Sequence, residues 1–229
     1  MPTTIHFGVG PIGGGVVEIF GTLLNQMRNT DSEFELPTVA NMAWAGPEGI
    51  TDGLQHAKYM VDNNLEYTYE SAKADLDNLK TRLADVDELF VTSPGICLFV
   101  DQFMQEYPDS AFYFCKRVNS DDILKSVKFR ADRTLVDVSE EVLTHLEELN
   151  SNITSVVDAK LDSLGYEWTE GNTRVLTDNL NISSIFENDP KKPNTSKNEI
   201  EDNIHKNAVF LFPSLVAVYK PEIVINFFG

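Results

Sequence analysis

The sequence predicts an α/β fold: a three-layer open, mostly parallel sheet with a helical and short-strand C-terminal extension. Three observations predict it. First, a short apolar run, Thr4-Ile5-His6-Phe7, meets a glycine-rich turn and then a helical pattern at Val16-Val17-Glu18-Ile19-Phe20. Second, strand and helix patterns alternate through about residue 118. Such alternation requires parallel strands joined by right-handed crossovers. Third, the character changes past residue 135, where one long amphipathic helix precedes a polar, proline-broken stretch and short apolar runs. The expected division is therefore an α/β domain over 1–134 and a mixed extension over 135–229, packed on the same core or beside it.

The elements follow in order. After the first strand a helix is expected over 14–27, ending in the polar turn Asn29-Thr30-Asp31-Ser32. A second strand is read over 36–42, with Pro37 at its entrance and Asn41 near its end. Gly46-Pro47-Glu48-Gly49 and Thr51-Asp52-Gly53 are loop signals. Helices follow over 54–62 and 69–84, the second marked by Ala72, Leu76, Leu79 and Leu83 at three- and four-residue spacing. Leu89-Phe90-Val91-Thr92 is a strand stopped by Ser93-Pro94-Gly95, and a helix over 96–105 leads through Tyr107-Pro108-Asp109 to a strand over 111–115.

In the extension, Ser139 caps a helix reaching about Leu161, with Val142, Leu146, Leu149, Ile153, Val156 and Val157 on one face. That face either packs on the sheet or makes a homodimer contact. Residues 187–194 form the polar excursion, and 208–212 and 222–228 read as two further strands or packed tails.

Ligands of open α/β sheets sit beyond the carboxyl ends of the strands. Those ends are expected at 8–13, 41–45, 92–95 and 116–119. The first carries Gly8-Val9-Gly10-Pro11-Ile12-Gly13, spaced G-x-G-x-x-G. In a Rossmann-like setting Gly8 allows the tight turn, Gly10 lets a pyrophosphate approach the backbone, and Gly13 lets helix and strand pack closely. The helix N-terminus then offers N–H groups to the phosphates. At the fourth end stand Lys116 and Arg117, the first of six basic residues within 116–133 out of eighteen in the chain. This island suits phosphate or carboxylate recognition. Asp121, Asp122 and Asp132 equally allow an ordinary solvated face.

Other chemistries are excluded or weakened. A formal charge of −18 disfavours nucleic acid and anionic membranes as partners. No apolar run approaches membrane length and no secretory h-region follows Met1, so a cytoplasmic protein acting on a small molecule is expected. Cys97 and Cys115 lack CxxC spacing and read as reduced core thiols. His6 lies inside a strand as a packing residue, while His56, His145 and His205 have no partner at ligand spacing, so no metal site is expected. Ser93 lacks the G-x-S-x-G frame of a nucleophile elbow.

Gly8-Val9-Gly10-Pro11-Ile12-Gly13-Gly14 with Glu18, Val39-Ala40-Asn41, Asp52-Gly53-Leu54, Val91-Thr92-Ser93 and Lys116-Arg117-Val118-Asn119 together resemble the nucleotide-binding domain of homoserine dehydrogenases over residues 1–120. The resemblance implies an oxidoreductase that moves a hydride between NAD or NADP and a small carbonyl or alcohol substrate. Gly8, Gly10, Pro11, Ile12 and Gly13 would hold the pyrophosphate, and Asn41 would lie near the adenosine ribose. Thr92 and Ser93 would flank the nicotinamide ribose, and Lys116 would face the reacting carbon as the catalytic group. Asn41 stands where an acid is usual, which leaves NAD and NADP both open. Nothing after residue 120 matches that family's substrate domain.

A second stretch, Thr92-Ser93-Pro94-Gly95, Phe103, Tyr107-Pro108-Asp109-Ser110-Ala111-Phe112 and Lys116-Arg117, resembles the middle of sulfotransferases. It implies Arg117 and Ser126 on a nucleotide 3′-phosphate. Pro11, Ile12 and Gly13-Gly14-Gly15 stand where that family's phosphosulfate loop carries basic and hydroxyl side chains. A non-catalytic nucleotide-binding protein is the third alternative. The glycine turn puts the oxidoreductase first, because backbone amides suffice for a pyrophosphate.

Overall fold

The computed structural model of the chain describes residues 2, 4–14, 16–17, 40–116, 123, 127, 138–164 and 214–219. Within them lie strand β1 (Thr4–Val9), β2 (Ala40–Trp44), helices α1 (Gly53–Asp62) and α2 (Tyr69–Arg82), and β3 (Glu88–Thr92). The short helices α3 (Pro94–Leu98) and α4 (Val100–Glu106), β4 (Ala111–Lys116), the long α5 (Glu140–Ser163) and β5 (Ser214–Tyr219) complete them. The result is the expected three-layer α/β architecture, a mostly parallel sheet with helices that include one long C-terminal one.

Local chemistry accounts for the helix starts. Asp52 accepts from the N–H groups of Leu54 and Gln55, both at 2.9 Å, and so caps α1. Thr68 and Ser71 form a reciprocal capping box at the head of α2. Ser139 accepts from Val142, and Glu140 and Glu141 fill the first turn of α5 where the helix dipole favours carboxylates. The helix expected over 96–105 is instead two. Ser93 caps α3 with Pro94 at its first position, and Phe99, at φ −111° and ψ 31°, interrupts the run before α4.

The strand order is β2-β3-β1-β4-β5. β1 pairs in parallel with β3 (Phe7 opposite Val91) and with β4 (Phe7 opposite Phe112), and β2 pairs in parallel with β3. β5 returns antiparallel on β4, Lys116 opposite Ser214. Two expectations are corrected. The second strand does not stop at Met42 but runs on through Ala43 and Trp44, which pair with Val91 and Thr92. β5 lies between the two tails expected over 208–212 and 222–228, which fall outside the described residues. So do residues 187–194 and, beyond the helical Val16 and Val17, the rest of the helix expected over 14–27.

Alternation along the strands places Ile5, Phe7 and Val9 of β1 on one face with Leu89, Val91, Phe112 and Phe114. That face packs against α2, α3, α4 and α5 through Leu76, Ile96, Phe103, Leu149, Ile153, Val157 and Leu161. The apolar stripe of α5 is thus spent on the sheet and its neighbouring helices. Phe7 stacks on Phe112 with centroids 4.7 Å apart, and both are fully buried, a contribution of roughly 2–3 kcal/mol each from burial.

The opposite face carries His6, a packing residue as expected. Its ring stacks on Phe90 at 4.2 Å, its Nδ1 lies 3.1 Å from the Tyr113 hydroxyl and its Nε2 lies 3.1 Å from Glu88 Oε2. Burial, with the Glu88 carboxylate beside it, pushes the Tyr113 phenol up to about 12.

Candidate functional site

The chain leaves β1 toward β2, two places one way in the sheet, and leaves β3 toward β4, two places the other way. β1 and β3 are neighbours whose connections set off in opposite directions along the sheet, so the strand order reverses between them. A reversal of this kind marks the crevice in which open α/β sheets take ligands. At its mouth lie the turn after Val9 and the segment Thr92-Ser93-Pro94.

The turn is built from Pro11 to Gly14. Gly14 N–H donates to the Pro11 carbonyl at 2.7 Å, and Gly13 occupies the third position with φ +81°. That is the position of a type II turn which demands glycine. Gly8 is not the residue that makes the tight turn. It lies inside β1, opposite Thr92 on one side and Tyr113 on the other, and the chain turns only after Gly10. A Cβ on Gly10 would stand 2.6 Å from the Cys115 carbonyl oxygen of β4. The sheet's own packing therefore requires that glycine, whatever approaches from outside.

Beside that of Gly14, the N–H groups of Gly10 and Ile12 have identifiable partners. Gly10 donates to the Cys97 sulfur at 3.4 Å, and Pro11 has no N–H to give. Ile12 is held from α5: its N–H donates to Asn150 Oδ1 at 2.7 Å, and its carbonyl accepts from Asn150 Nδ2 at 3.0 Å. The Ile12 side chain abuts the first residue of α1, where a Cβ on Gly53 would come within 2.7 Å of it.

The β3 end is tied inward as well. Thr92 Oγ1 donates to the Gly8 carbonyl at 2.8 Å, and Ser93 Oγ accepts from Ile96 N–H as the cap of α3. Cys97 sits beneath both segments, its sulfur 3.5 Å from the Gly10 carbonyl. Burial pushes its thiol up to about 11, so it remains protonated and serves as a packing and weak hydrogen-bonding group, as its spacing suggests.

The site residues read from sequence thus divide. Gly10, Pro11, Ile12, Gly13, Thr92 and Ser93 come together at one mouth, with Gly8 just below it. Lys116 is the last residue of β4, at the same edge of the sheet. Asn41 is not at that edge. It is the second residue of β2, opposite Leu89, and three residues short of the strand end, about 10 Å along the chain. Moreover β2 is separated from β1 by β3, so its carboxyl end lies two strand spacings, again about 10 Å, from the turn. Arg117 and Ser126 lie outside the described residues.

Asn150 was missed by sequence reasoning, although a signal existed. It interrupts the stripe Leu146, Leu149, Ile153, Val157 with a carboxamide, and only 9% of it is exposed. A second polar grouping lies between α1 and α5. Trp44 Nε1 donates to His56 Nδ1 at 3.2 Å, which leaves the imidazole proton on Nε2, and burial pushes His56 down to about 4. His56 meets Tyr67 edge-on, and Tyr67 stacks on His145. Beside His145, toward the C-terminal end of α1, Met60, Leu65, Glu141 and Glu148 line a cleft of about 440 Å³.

Among the described residues no cluster of His, Cys, Asp or Glu could hold a metal, and no helix is long and apolar enough to cross a membrane. No family model matches the chain, and neither a curated protein nor a solved structure matches it. What the geometry establishes is a small α/β domain, broadly Rossmann-like in topology, of the kind that nucleotide-binding oxidoreductases use.

Proposed function

We propose that the chain binds a nucleotide by its phosphates at the crevice between β1 and β3, with NAD or NADP as that nucleotide and hydride transfer on a small carbonyl or alcohol substrate as its activity. One observation carries the reading: the strand order reverses between β1 and β3 at a glycine turn, with Thr92 and Ser93 on the opposite lip. In this reading Gly10, Pro11, Ile12 and Gly13 face the pyrophosphate, Thr92 and Ser93 the nicotinamide ribose, and Lys116, the last residue of β4, is the proton donor or acceptor. The likeness to homoserine dehydrogenases supports the same assignment. Asn41 is left out of it, because β2 places that residue away from the edge.

The pyrophosphate does not fit the turn as it stands. Ile12 N–H is already hydrogen-bonded, and the room at Gly10 is filled by the Cys115 carbonyl. Nucleotide binding at this edge requires that the turn first release an amide.

A second reading is favoured by the strand order. Dinucleotide folds of the 3-2-1-4-5-6 order set their second strand beside the first, where its end can reach the adenosine ribose. Here β3 holds that place. A site for a single nucleotide with a 3′-phosphate, as in the sulfotransferase resemblance, needs no such residue and draws on Arg117 and Ser126 instead. A thermal-shift titration with NAD, NADP and adenosine 3′,5′-bisphosphate decides between them. Saturable stabilisation by a nicotinamide nucleotide, following mass action, is the expected result. Stabilisation by the bisphosphate alone establishes the second reading, and no shift with any of the three refutes both.

A further inference from the structure

The contact between Asn150 and Ile12 joins one side chain to both main-chain groups of one residue, 138 positions apart in the chain. A buried carboxamide is costly unless its oxygen and nitrogen are both satisfied. At this point of α5 a leucine would continue the apolar stripe, and the Asn150 carboxamide instead hydrogen-bonds with both main-chain groups of Ile12. The turn is what the asparagine is there to meet.

Three neighbouring positions show what sets this contact apart. Pro11 offers no N–H. Gly14 N–H is locked in the turn's own hydrogen bond, and Gly10 N–H is directed at a thiol in the core. Ile12 N–H differs from these in being held by a side-chain oxygen, which side-chain rotation can withdraw without breaking the turn. A neutral amide oxygen is also the weaker acceptor: hydrogen bonds to an ionised phosphate oxygen are roughly twice as strong as neutral ones.

We propose that Asn150 gates the Pro11–Gly14 turn: its carboxamide occupies the Ile12 N–H that a phosphate oxygen needs, and a phosphate-bearing molecule docks by displacing it. The inference rests on the reading of this turn as a phosphate site and adds what controls access to it. Because α5 also packs on α1 and α3, release of Asn150 loosens the tie between the turn and the helix that joins those two.

The test uses the full chain with Asn150→Ala, which vacates Ile12 N–H, and Asn150→Asp, which keeps an acceptor there but sets a negative charge beside it. Asn150→Ser stands in if the alanine variant does not fold by circular dichroism. Inorganic pyrophosphate and NADP are titrated separately, with stabilisation read against each protein's own baseline. Asn150→Ala or Asn150→Ser is expected to bind pyrophosphate about tenfold tighter than the unmodified chain, and Asn150→Asp more weakly than either. Equal or weaker pyrophosphate binding by the alanine or serine variant overturns the gate. If NADP binds the unmodified chain and Asn150→Ala equally, the dinucleotide reading stands and the gate falls. If the variant gains pyrophosphate affinity while NADP stabilises neither protein, the gate stands and the dinucleotide reading falls. No response of any protein to either probe refutes both.

Discussion

Acidification should remove a defined part of the fold's stability through His56. The imidazole is 3% exposed, its Nδ1 accepts from Trp44 Nε1, and the Tyr67 ring meets it edge-on at 5.4 Å. Burial holds it neutral, pushing its pKa from 6.5 to about 4. The unfolded chain takes a proton on this residue below about pH 6.5, whereas the native state takes it only near pH 4. Across that window the unfolded state therefore binds more protons, and stability falls as pH falls. Above about pH 6.5 the contribution is fully present, and below about pH 4 no more is lost. The interval from 6.5 to about 4 corresponds to roughly 3 kcal/mol at about 1.36 kcal/mol per pH unit. That is a large share of the roughly 5–15 kcal/mol that holds an ordinary domain folded.

Carboxylic acids in general titrate in or near the same range, so the quantity to measure is a difference. Urea unfolding at pH 7, 5.5 and 4 is compared between the unmodified chain and His56→Gln, whose amide oxygen can still accept from Trp44. The expected outcome is that the variant loses less stability than the parent between pH 7 and 4, by up to about 3 kcal/mol, with the gap opening below pH 6.5. Parallel pH profiles for the two proteins would refute the reasoning, because the proton would then have no preference between folded and unfolded chains at this position.

Two further perturbations probe the edge of the sheet. Gly10→Ala sets a Cβ 2.6 Å from the Cys115 carbonyl and should cost about 1–3 kcal/mol of stability without any ligand present, read as a lowered urea midpoint. An unchanged midpoint would mean that the glycine is not required by the contact with β4. Cys97, fully buried with its thiol pushed up to about 11, should resist a thiol-reactive disulfide reagent at pH 8 in the native protein and react once urea unfolds it. Native-state labelling of Cys97, located by peptide mapping, would show that the floor of the crevice opens.

What could be read from the chain in advance was what local chemistry decides. Ser139 and the apolar repeat after it place α5 to within two residues at either end, because a capping hydroxyl and a helical stripe need no distant partner. β1, β3 and β4 were legible for a similar reason: short apolar runs bounded by glycine, proline and polar residues. The order of the strands was not, since nothing in residues 36–44 says that β3 will come between them and β1. Asn41 is misplaced by sequence for that reason, and because Ala43 and Trp44 extend a strand that composition alone ends at Met42.

The glycine spacing is the instructive case. G-x-G-x-x-G reports positions where a side chain is unwelcome, and a ligand's phosphate and a neighbouring strand's carbonyl exclude a Cβ equally well. At Gly13 the cause is the turn, with its φ of +81°, and at Gly10 it is the Cys115 carbonyl. Loss of nucleotide binding in a Gly10 variant would therefore not identify a phosphate site, because the packing of β1 against β4 would be damaged by the same substitution. Asn150 separates the two causes. It is absent from β1, β3 and β4, its substitution leaves both glycines untouched, and it acts on the Ile12 amide, which its own carboxamide oxygen holds. A change in phosphate affinity on replacing it would come from the turn's chemistry rather than from damage to the sheet.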